Sequence, residues 1–458
     1  MTMFAFPRAV VKRQIAEQFH ALLPELQIEQ ILRDTGYGFR QRIITPGLSV
    51  YLLLLQLLHN VSLQGLRQLH DPALTASAIC QARAKLPLAL FYRLLEQFTA
   101  ACRAPLAKGA DALFHGLQVV LLDGTNTRTH DTPALAAHYG KHSNGRKRQT
   151  GYPAPKLLCL LDYATGMIHR VIDLPACRQE HMVLRRLFDQ LRQGQIVVAD
   201  RGLVSFCFLC QLLTAKVEAC LRLPRDQTVG YRRKRAPKNA AGKKQAPRRQ
   251  PRHRRVLQRL GPGDLLVQWS KSSTCPKACS KRAYRALPDH LTLREITFDL
   301  AGQNCRPRRI TVITTLLDPV QYPAADLAAL YRQRWQIEVC FRDLKCSQGL
   351  RQVRAKTRVG VRKELLAQIL LYNLIRAVML QAAARQNVAP LRLSFLDALR
   401  HLRYTAHTQE NYALVVNPRR IRSPEPRRVK TRRSKFPPLN QPRAYYKNHP
   451  ERSRKHAA

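Results

Sequence analysis

The apolar positions of the first 110 residues recur at helical spacing. This spacing, about 3.6 residues, holds through Val10–Leu23, Leu48–Leu58 and Leu90–Phe98, and no alternating apolar and polar run interrupts it. We therefore predict a helical N-terminal domain over residues 1–110.

Within this domain, two short helical segments flank a break. Ser62–His70 and Thr75–Lys85 are separated by Asp71-Pro72, and a proline disfavours helix at the residue before it. The pattern is typical of a helix-turn-helix over residues 62–85, whose second helix would bind DNA. An ordinary pair of packed helices explains it equally well, so both interpretations stay open.

After residue 111, short apolar runs replace the helical pattern. Leu117–Leu122 and Gln195–Ala199 are predicted to be buried strands, and an acid, Asp123 or Asp200, directly follows each of them. Neighbouring strands bring such carboxyl ends together at one edge of a sheet. The two aspartates are therefore expected to lie close to each other.

Further elements complete this α/β pattern. Asp162 and Asp173 also lie in apolar runs, but these runs form a hairpin, where Asp is a favoured turn residue, so both are predicted to be structural. The predicted elements are a hairpin of Lys156–Asp162 and Met167–Leu174, an amphipathic helix at Met182–Leu191 and a strand at Val217–Leu223.

Residues 225–309 interrupt the α/β pattern. Lys and Arg dominate residues 231–255, with Pro and Gly interspersed, which predicts a mobile basic loop. The basic, proline-containing tail at 411–458 is predicted to be an extended arm on a polyanion. Three strands are predicted between them, at Asp264–Trp269, Thr292–Leu300 and Arg309–Leu316.

The basic balance extends over the whole chain. Its 458 residues carry 78 Lys and Arg against 29 Asp and Glu, a formal net charge of +49. Such a charge destabilises a compact chain by self-repulsion unless a polyanion neutralises it, and nucleic acid is the partner that this predicts. An architectural protein would share the charge, so the charge alone does not imply catalysis.

Cysteines and apolar segments predict the compartment. The twelve cysteines are scattered, and the pairs Cys207/Cys210 and Cys275/Cys279 each lack a second pair at zinc-ligand spacing, so no zinc is predicted. No secretory signal or membrane span is predicted either, because the apolar run at Leu365–Ala384 contains polar residues. A reducing, cytoplasmic location is therefore expected.

One segment near residue 340 gathers polar chemistry on a single helix. Tyr331, Arg334, Glu338 and Lys345 fall within an arc of about 60° on one face of a helix that is predicted to begin at Pro323 and end near Gly349. The carboxylate can ligate a hard divalent cation, and the cations and the phenol can hold phosphate oxygens. A solvated, charged helix face would show the same pattern.

Together with the strand-end acids, this helix predicts a metal site. Asp123, Asp200 and Glu338 on one point would hold two divalent cations about 3.5–4 Å apart. Ligands that are all oxygen favour Mg²⁺ or Mn²⁺ over zinc. One ion would activate water or a 3′-hydroxyl, and the other would stabilise the leaving oxygen of a phosphodiester.

These residues resemble a known family. Leu-Leu-Asp123-Gly124-Thr125, Val-Ala-Asp200-Arg201-Gly202 and Tyr331-x2-Arg334-x3-Glu338-x6-Lys345 match, in order and spacing, bacterial insertion-sequence transposases of the DDE class with the Tyr-Arg-Glu-Lys signature, insertion-sequence family four. The resemblance covers roughly residues 20–435 and includes the helix at Tyr372–Ala377. Leu203 departs from it, since the family commonly has Phe or Tyr there, and we expect a change in packing rather than in chemistry.

The resemblance implies an α/β fold, a ribonuclease-H-like catalytic core interrupted by a strand-rich insertion, with a helical N-terminal domain before it and a basic tail after it. The implied divisions are 1–110, 111–224, 225–309, 310–410 and 411–458. It also implies cut-and-paste transposition through nicking, a hairpin intermediate and strand transfer at terminal inverted repeats, by a homodimer in a synaptic complex on double-stranded DNA. Asp123, Asp200 and Glu338 would be the metal ligands, and Tyr331, Arg334 and Lys345 would contact DNA near the scissile phosphate.

Three other side chains receive predicted roles. Trp269 is a candidate for stacking on an extruded base, and a place in the core of the insertion is the alternative. Arg201 is expected to orient the carboxylate of Asp200 and contact DNA, and Trp335 to pack its helix on the sheet. Two other functions stay open, namely a catalytically inactive DNA-binding relic and another two-metal nuclease on the same fold. The intact acids argue against the first, and the Tyr-Arg-Glu-Lys helix argues against the second.

Overall fold

The computed structural model describes most of the chain between residues 25 and 417. The described residues are 25–40, 43–69, 74–103, 113–143, 149–176, 184–224, 254–276, 279–300, 308–404, 413–417, 441, 445 and 448–449. The predicted helix at Val10–Leu23, nearly all of the basic loop and nearly all of the tail lie outside them.

The described part of the N-terminal domain is helical, as predicted. Thr45 and Thr75 cap two of its helices, because their hydroxyls accept hydrogen bonds from the backbone N–H groups of Leu48 and Ala78. The two segments predicted as a helix-turn-helix are both helices, and the break between them, Asp71-Pro72, lies outside the described residues. The helices are α1 (Glu25–Asp34), α2 (Pro46–His59), α3 (Leu63–Leu69), α4 (Ala76–Lys85) and α5 (Leu88–Arg103).

A mixed sheet follows, in the order β6-β5-β2-β7-β8-β12-β11-β10-β9, with β1 paired to β2. A separate two-stranded sheet joins β3 and β4. The strands are β1 (Leu113–Phe114), β2 (Leu117–Asn126), β3 (Lys141–Ser143), β4 (Gln149–Pro153), β5 (Lys156–Asp162), β6 (Ile168–Leu174), β7 (Gln195–Ala199), β8 (Glu218–Arg222), β9 (Arg254–Gly261), β10 (Asp264–Ser270), β11 (His290–Leu300) and β12 (Arg308–Thr314).

The direction of the first strands supports the expected type of core. β2 pairs antiparallel with β5 and parallel with β7, β5 pairs antiparallel with β6, and β7 pairs parallel with β8. This order and these directions fit a ribonuclease-H-like core. The predicted α/β class is therefore confirmed.

The strands of the insertion extend the core sheet. The three strands predicted at 264–316 are present. β12 pairs antiparallel with β8, and β11, β10 and β9 follow it outward in the same sheet. β9 was not predicted, because its mostly exposed, basic sequence lacks the apolar positions of a buried strand. The described strands between residues 254 and 300 therefore continue the sheet rather than form a separate one.

Helices cover the sheet, and two of them carry residues of the Tyr-Arg-Glu-Lys signature. Another helix, Arg358–Gln386, is long and apolar enough to cross a membrane, but 89% of its most apolar window is buried inside the protein. Its Asn373 pairs with both backbone groups of Ile168 on the edge strand β6, so it is a core helix. The helices are α6 (Pro133–Tyr139), α7 (Phe206–Thr214), α8 (Lys281–Arg285), α9 (Ala324–Gln333), α10 (Trp335–Arg342), α11 (Arg358–Gln386) and α12 (Phe395–Tyr404).

Two predicted helices differ from the structure. The signature segment begins after Pro323 as expected, but it is divided into α9, α10 and a π-helical turn, Asp343–Ser347. The described part of the predicted helix Met182–Leu191 is a 3₁₀-helix, Leu184–Gln190. Helical spacing does not distinguish between these tighter and wider turns over a few residues.

Candidate active site

Two parallel strands bring the aspartates to one edge of the sheet. Leu122 of β2 lies opposite Ala199 of β7. Asp123 and Asp200 are the next residues of the two chains, so they lie side by side. Their side chains are partly exposed, 23% for Asp123 and 35% for Asp200. A water-accessible carboxylate on a rigid strand is suited to bind a cation or a polar substrate.

The signature helix adds the third carboxylate through an arginine. The Arg334 guanidinium donates from Nη1 to Asp123 Oδ2 at 3.3 Å and from Nη2 to Glu338 Oε1 at 2.7 Å. The Arg334 side chain is only 12% exposed. One buried cation therefore holds Asp123 and Glu338 on either side of itself.

Asp200 has its own pair of partners. The Tyr331 hydroxyl donates to Asp200 Oδ1 at 3.2 Å, and Arg222 Nη1 lies 3.5 Å from the same oxygen. Burial raises the pKa of the Tyr331 phenol, so at neutral pH it is protonated and can act as a donor. The helix thus contacts both aspartates, Asp123 through Arg334 and Asp200 through Tyr331.

The last signature residue reaches the same edge from the π-helical turn. Lys345 Nζ donates to Thr125 Oγ1, two residues beyond Asp123 on β2. Cys159 lies opposite Asp123 in the sheet. Burial raises the pKa of its thiol, with Asp123 and Lys345 acting on it in opposite directions. All four signature side chains therefore converge on the last residues of β2 and on Asp200 after β7. β2 continues to Asn126, so Asp123 lies within the strand and not after it, as the sequence had predicted.

Electrostatics keeps this cluster charged. Burial by itself lowers the pKa of Arg334, but the neighbouring phenol and carboxylates outweigh it, and the pKa is raised above its ordinary value. The guanidinium is therefore a permanent cation between Asp123 and Glu338. Removing its charge would leave two facing carboxylates without compensation.

The donor chemistry of the three acids fits a hard divalent cation. Six carboxylate oxygens at one partly exposed edge are the ligand type that Mg²⁺ or Mn²⁺ prefers. In the described residues, however, no group of three His, Cys, Asp or Glu side chains is already arranged around a metal position. The Arg334 guanidinium lies between Asp123 and Glu338, so binding of a metal by both carboxylates requires it to move aside.

Two predicted neighbours of the site differ in the structure. Arg201 is exposed, and the contact to Asp200 that we predicted for it comes from Arg222. Trp335 is 62% exposed, so the prediction that it packs its helix on the sheet is wrong. The turn at Arg334 and the following helix present this ring to solvent instead.

Trp269 lies away from the acids, on β10. It is partly buried against the core, and its indole donates to Glu295 Oε1 at 3.2 Å. This position is accounted for by packing in the insertion, the alternative stated above, and the stacking role stays a prediction. Leu203 is buried in the same apolar cluster, as expected for a residue that acts in packing.

The other strand-end acids have structural partners. Asp162 accepts from the backbone N–H of Thr165 at 3.0 Å and pairs with Arg103. Asp173 pairs with Arg362 Nε at 2.9 Å and accepts from a buried tyrosine. Both acids act in the fold, as predicted, but only Asp162 adjoins the hairpin turn, and Asp173 lies within β6.

Two residues of the site were not predicted. Arg222 ends β8, one position beyond the Ala199–Leu221 pair, and Thr125 lies two residues after Asp123. A lone arginine at the start of a basic segment gives no signal in the sequence. For Thr125 the signal was available, since alternate residues of a strand share a face.

The chain matches known proteins over much of its length. The family described as "Transposase DDE domain" matches residues 114–374. The transposase InsG for insertion sequence element IS4 of Escherichia coli (strain K12) is 24% identical over 332 residues, 71% of this chain and 66% of InsG. The putative transposase InsZ of the same organism is 26% identical over 213 residues, 45% of this chain and 70% of InsZ. The match therefore spans just under two thirds of InsG.

A solved structure is also similar in part. The piggyBac transposase, in a synaptic complex with hairpin DNA, aligns with 85% of this chain and 79% of its own, at 11% identity and a TM-score of 0.40. So low a score supports no argument about the site.

Proposed function

Because the chain belongs to the transposase DDE domain family, we propose that it catalyses cut-and-paste transposition of a bacterial insertion sequence. The reaction would consist of phosphodiester hydrolysis at terminal inverted repeats, hairpin formation and strand transfer into target DNA. The observation that supports this most directly is the convergence of Asp123, Asp200 and Glu338 with the Tyr331, Arg334 and Lys345 side chains at one sheet edge.

The three carboxylates would hold two Mg²⁺ ions, with Mn²⁺ as a substitute. When bound, these ions would supply activation of water or a 3′-hydroxyl and stabilisation of the leaving oxygen. The chain's own residues would position the DNA. Arg334, displaced from Asp123 and Glu338, can donate two parallel hydrogen bonds to a phosphate, and Lys345 offers a point charge beside Thr125.

Hairpin formation requires a base to leave the stack, and an aromatic ring stabilises such a base by stacking, worth about 1–3 kcal/mol. Trp269 is the candidate from the sequence. Trp335 is a second one, because its ring is exposed and adjoins Arg334. Arg201, exposed beside Asp200, is proposed to contact the DNA backbone.

The partners would be double-stranded DNA and a second copy of the chain. A net charge of +49 favours binding to any duplex through release of counterions. We propose that two copies hold two transposon ends in a synaptic complex, in the bacterial cytoplasm and in association with the nucleoid.

The proposal is tested with purified protein and a labelled duplex that carries the element's inverted-repeat end. In Mg²⁺ or Mn²⁺ we expect nicking at the element boundary and then a hairpin product, and neither in EDTA. The hairpin yields of Trp269→Ala and Trp335→Ala, measured in the same assay, distinguish the two aromatic candidates. Tight binding without cleavage in either metal would contradict the proposal and favour an inactive DNA-binding relic.

Glu338→Gln is the matched variant. Glutamine keeps the shape and the contact to Arg334 but removes a metal-binding charge, so cleavage should fall to background while DNA affinity changes little. Electrophoretic mobility shift and cleavage assays on the same preparation measure the two effects. Cleavage retained by this variant would refute the role of Glu338.

A further inference from the structure

The helix pair α3–α4 has an apolar cluster of its own. Leu66, Leu74 and Ile79 pack there with Leu52 and Leu55 of α2. The other apolar residues of α2 that are buried, and those of α5, belong instead to the large cluster that contains α11. In the described residues, the buried apolar side chains of the pair therefore reach the core through α2, whereas α5 packs on the core directly.

A cleft lies between the helix pair and the catalytic core. Its volume is about 570 Å³, and its walls include Ser62 and Gln64 from the side of the pair and Arg354 and Glu364 from the side of the core. Close packing fixes the position of an element in a protein interior, and this cleft interrupts it. The orientation of the pair on the core therefore depends on the polar contacts around the cleft.

A lysine of the core binds the end of α4. Lys363 is buried near the start of α11, and its Nζ donates to Ala84 O at 2.6 Å and to Arg83 O at 3.3 Å. The last carbonyl groups of a helix lack partners within the helix and carry the negative end of its dipole, so a cation is a favourable partner for them. Lys363 thus fixes the C-terminal end of α4.

An arginine binds the entrance to α3. Arg354 Nη2 donates to Asn60 O at 3.0 Å, and Nη1 donates to Val61 O. The Glu364 carboxylate accepts from the backbone N–H of Arg354 at 2.8 Å and of Ala355 at 2.9 Å, which ties this arginine to α11. The two cations therefore hold the pair at both of its ends, from neighbouring positions of the core.

The chain that carries these cations also contacts the active-site strand. Val353, next to Arg354, donates its N–H to Arg128 O at 2.8 Å, just beyond the end of β2. β2 carries Asp123 and Thr125. A change in the contacts of Arg354 or Lys363 would therefore shift the helix pair relative to the strand of a proposed catalytic acid.

The outer face of α4 is polar and exposed. Ser77, Gln81 and Lys85 recur every four residues, on the side of the helix away from buried Ile79. Hydroxyl, amide and ammonium groups are the types that contact phosphates and base edges. With a net charge of +49 on the chain, duplex DNA is the partner that this face fits.

We propose that Lys363 and Arg354 are positioning residues, which set the orientation of α3–α4 on the core and thereby the distance between DNA bound at α4 and the position of the cut. This inference rests on the proposed function, because it concerns where the DNA is cut. Neither residue needs to touch DNA for this role, since the contacts that define it are made to backbone oxygens of the N-terminal helices.

Hydrogen exchange of the full-length protein without DNA tests the contacts. In Lys363→Met and Arg354→Met, peptides from α3 and α4 should exchange faster than in the wild type, while peptides from α5 keep their protection in the large core. Arg358→Met, which removes an exposed cation from the first turn of α11, is the matched control and should exchange as the wild type does. Because Arg354 is exposed, its variant keeps the test decisive if the buried Lys363→Met fails to fold. Unchanged exchange of α3 and α4 in both variants, or an equal rise in α5, would overturn the proposal.

The position of the nicks on a labelled inverted-repeat end, in Mg²⁺, tests the consequence. The share of nicks away from the element boundary should rise several-fold in Lys363→Met and Arg354→Met. It should return to the wild-type share in Lys363→Arg, which keeps donors for the two carbonyl groups. A merely structural role would lower all products without moving them. Nicks at the wild-type positions in both Met variants would refute this inference alone, whereas a wild type that nicks nothing would refute the proposed function and this inference with it.

Discussion

Arg334 has two opposite relations to the acids around it. Its guanidinium compensates the negative charges of Asp123 and Glu338, but it also lies where a metal ion shared by the two carboxylates would have to bind. A buried cation that holds two carboxylates apart lowers their repulsion and fixes their direction. We infer that Arg334 keeps the two acids in place until a metal ion binds the carboxylates and a phosphate binds the guanidinium.

This role predicts a linked effect of metal and mutation. Arg334→Ala should lower the free energy of unfolding in metal-free buffer by about 1–2 kcal/mol, because the two partly exposed carboxylates lose their shared cation. Added Mg²⁺ should then raise the Tm of the variant more than that of the wild type, since the ion stabilises whichever state binds it better. Thermal denaturation with and without Mg²⁺ measures both.

Arg332→Ala is the control for this comparison. Arg332 is exposed near the end of α9, two residues before Arg334, so its loss should leave the Mg²⁺ dependence of Tm as in the wild type. Equal Mg²⁺ shifts for Arg334→Ala and the wild type would argue against a shared position for guanidinium and metal.

At the scale of elements, an ion pair with α11 holds the π-helical turn Asp343–Ser347 in place. Arg376 of α11 is buried, its Nη2 lies 3.6 Å from Asp343 Oδ2, and its Nε donates to the Tyr372 hydroxyl at 2.9 Å. This turn carries Lys345 to the active-site edge. The ion pair therefore connects the longest described helix to the position of a signature residue.

Arg376→Met should be strongly destabilising, by about 3–5 kcal/mol, because it leaves Asp343 buried without its cation. Burial raises the pKa of Asp343, so the folded chain holds this proton more tightly than the unfolded chain. The loss should therefore be smaller at acidic pH, where Asp343 is protonated, and grow as the pH rises through its raised pKa. Urea unfolding at several pH values measures this.

Arg376→Met/Asp343→Asn supplies the second arm of a double-mutant cycle. Removing both charges should recover part of the lost stability and abolish its extra pH dependence. A double variant that is less stable than the sum of the single changes would refute the pairing.

The elements also show what the sequence could predict. The apolar runs before Asp123 and Asp200 led to β2 and β7, because continuous burial on both faces leaves a readable pattern. The signature helix was predicted in position but not in its division, since a π turn changes no apolar spacing over so few residues. β9 and the exposure of Trp335 were missed because both depend on which neighbours the fold supplies.

The same limit applied to Arg222. Its contact with Asp200 depends on β8 lying beside β7 in the sheet. Long-range juxtaposition of this kind has no local signal. The roles assigned to Asp123, Asp200 and Glu338 stay predictions, although the structure brings them to one edge.

At the scale of the whole molecule, the net charge of +49 governs how the chain meets DNA. Deleting residues 418–458, a segment rich in Lys and Arg, should weaken binding to all duplex sequences alike and flatten the dependence of log K on log salt. Fluorescence anisotropy at several salt concentrations, on specific and unrelated duplexes, measures the slope. An unchanged slope would mean that the tail does not touch DNA.

The route of the chain between β8 and β12 has a consequence for how such proteins diverge. β8 ends at Arg222, and β12 pairs antiparallel with it, with Val312 opposite Arg222. The described strands between the two, β9 to β11, lie on the far side of β12. Lengthening the segment between β8 and β12 costs little in loop entropy, about 0.6 kcal/mol for each doubling of its length, and moves neither Asp123 nor Asp200. This segment can therefore change in length or sequence while the strand pair beside the aspartates keeps its register.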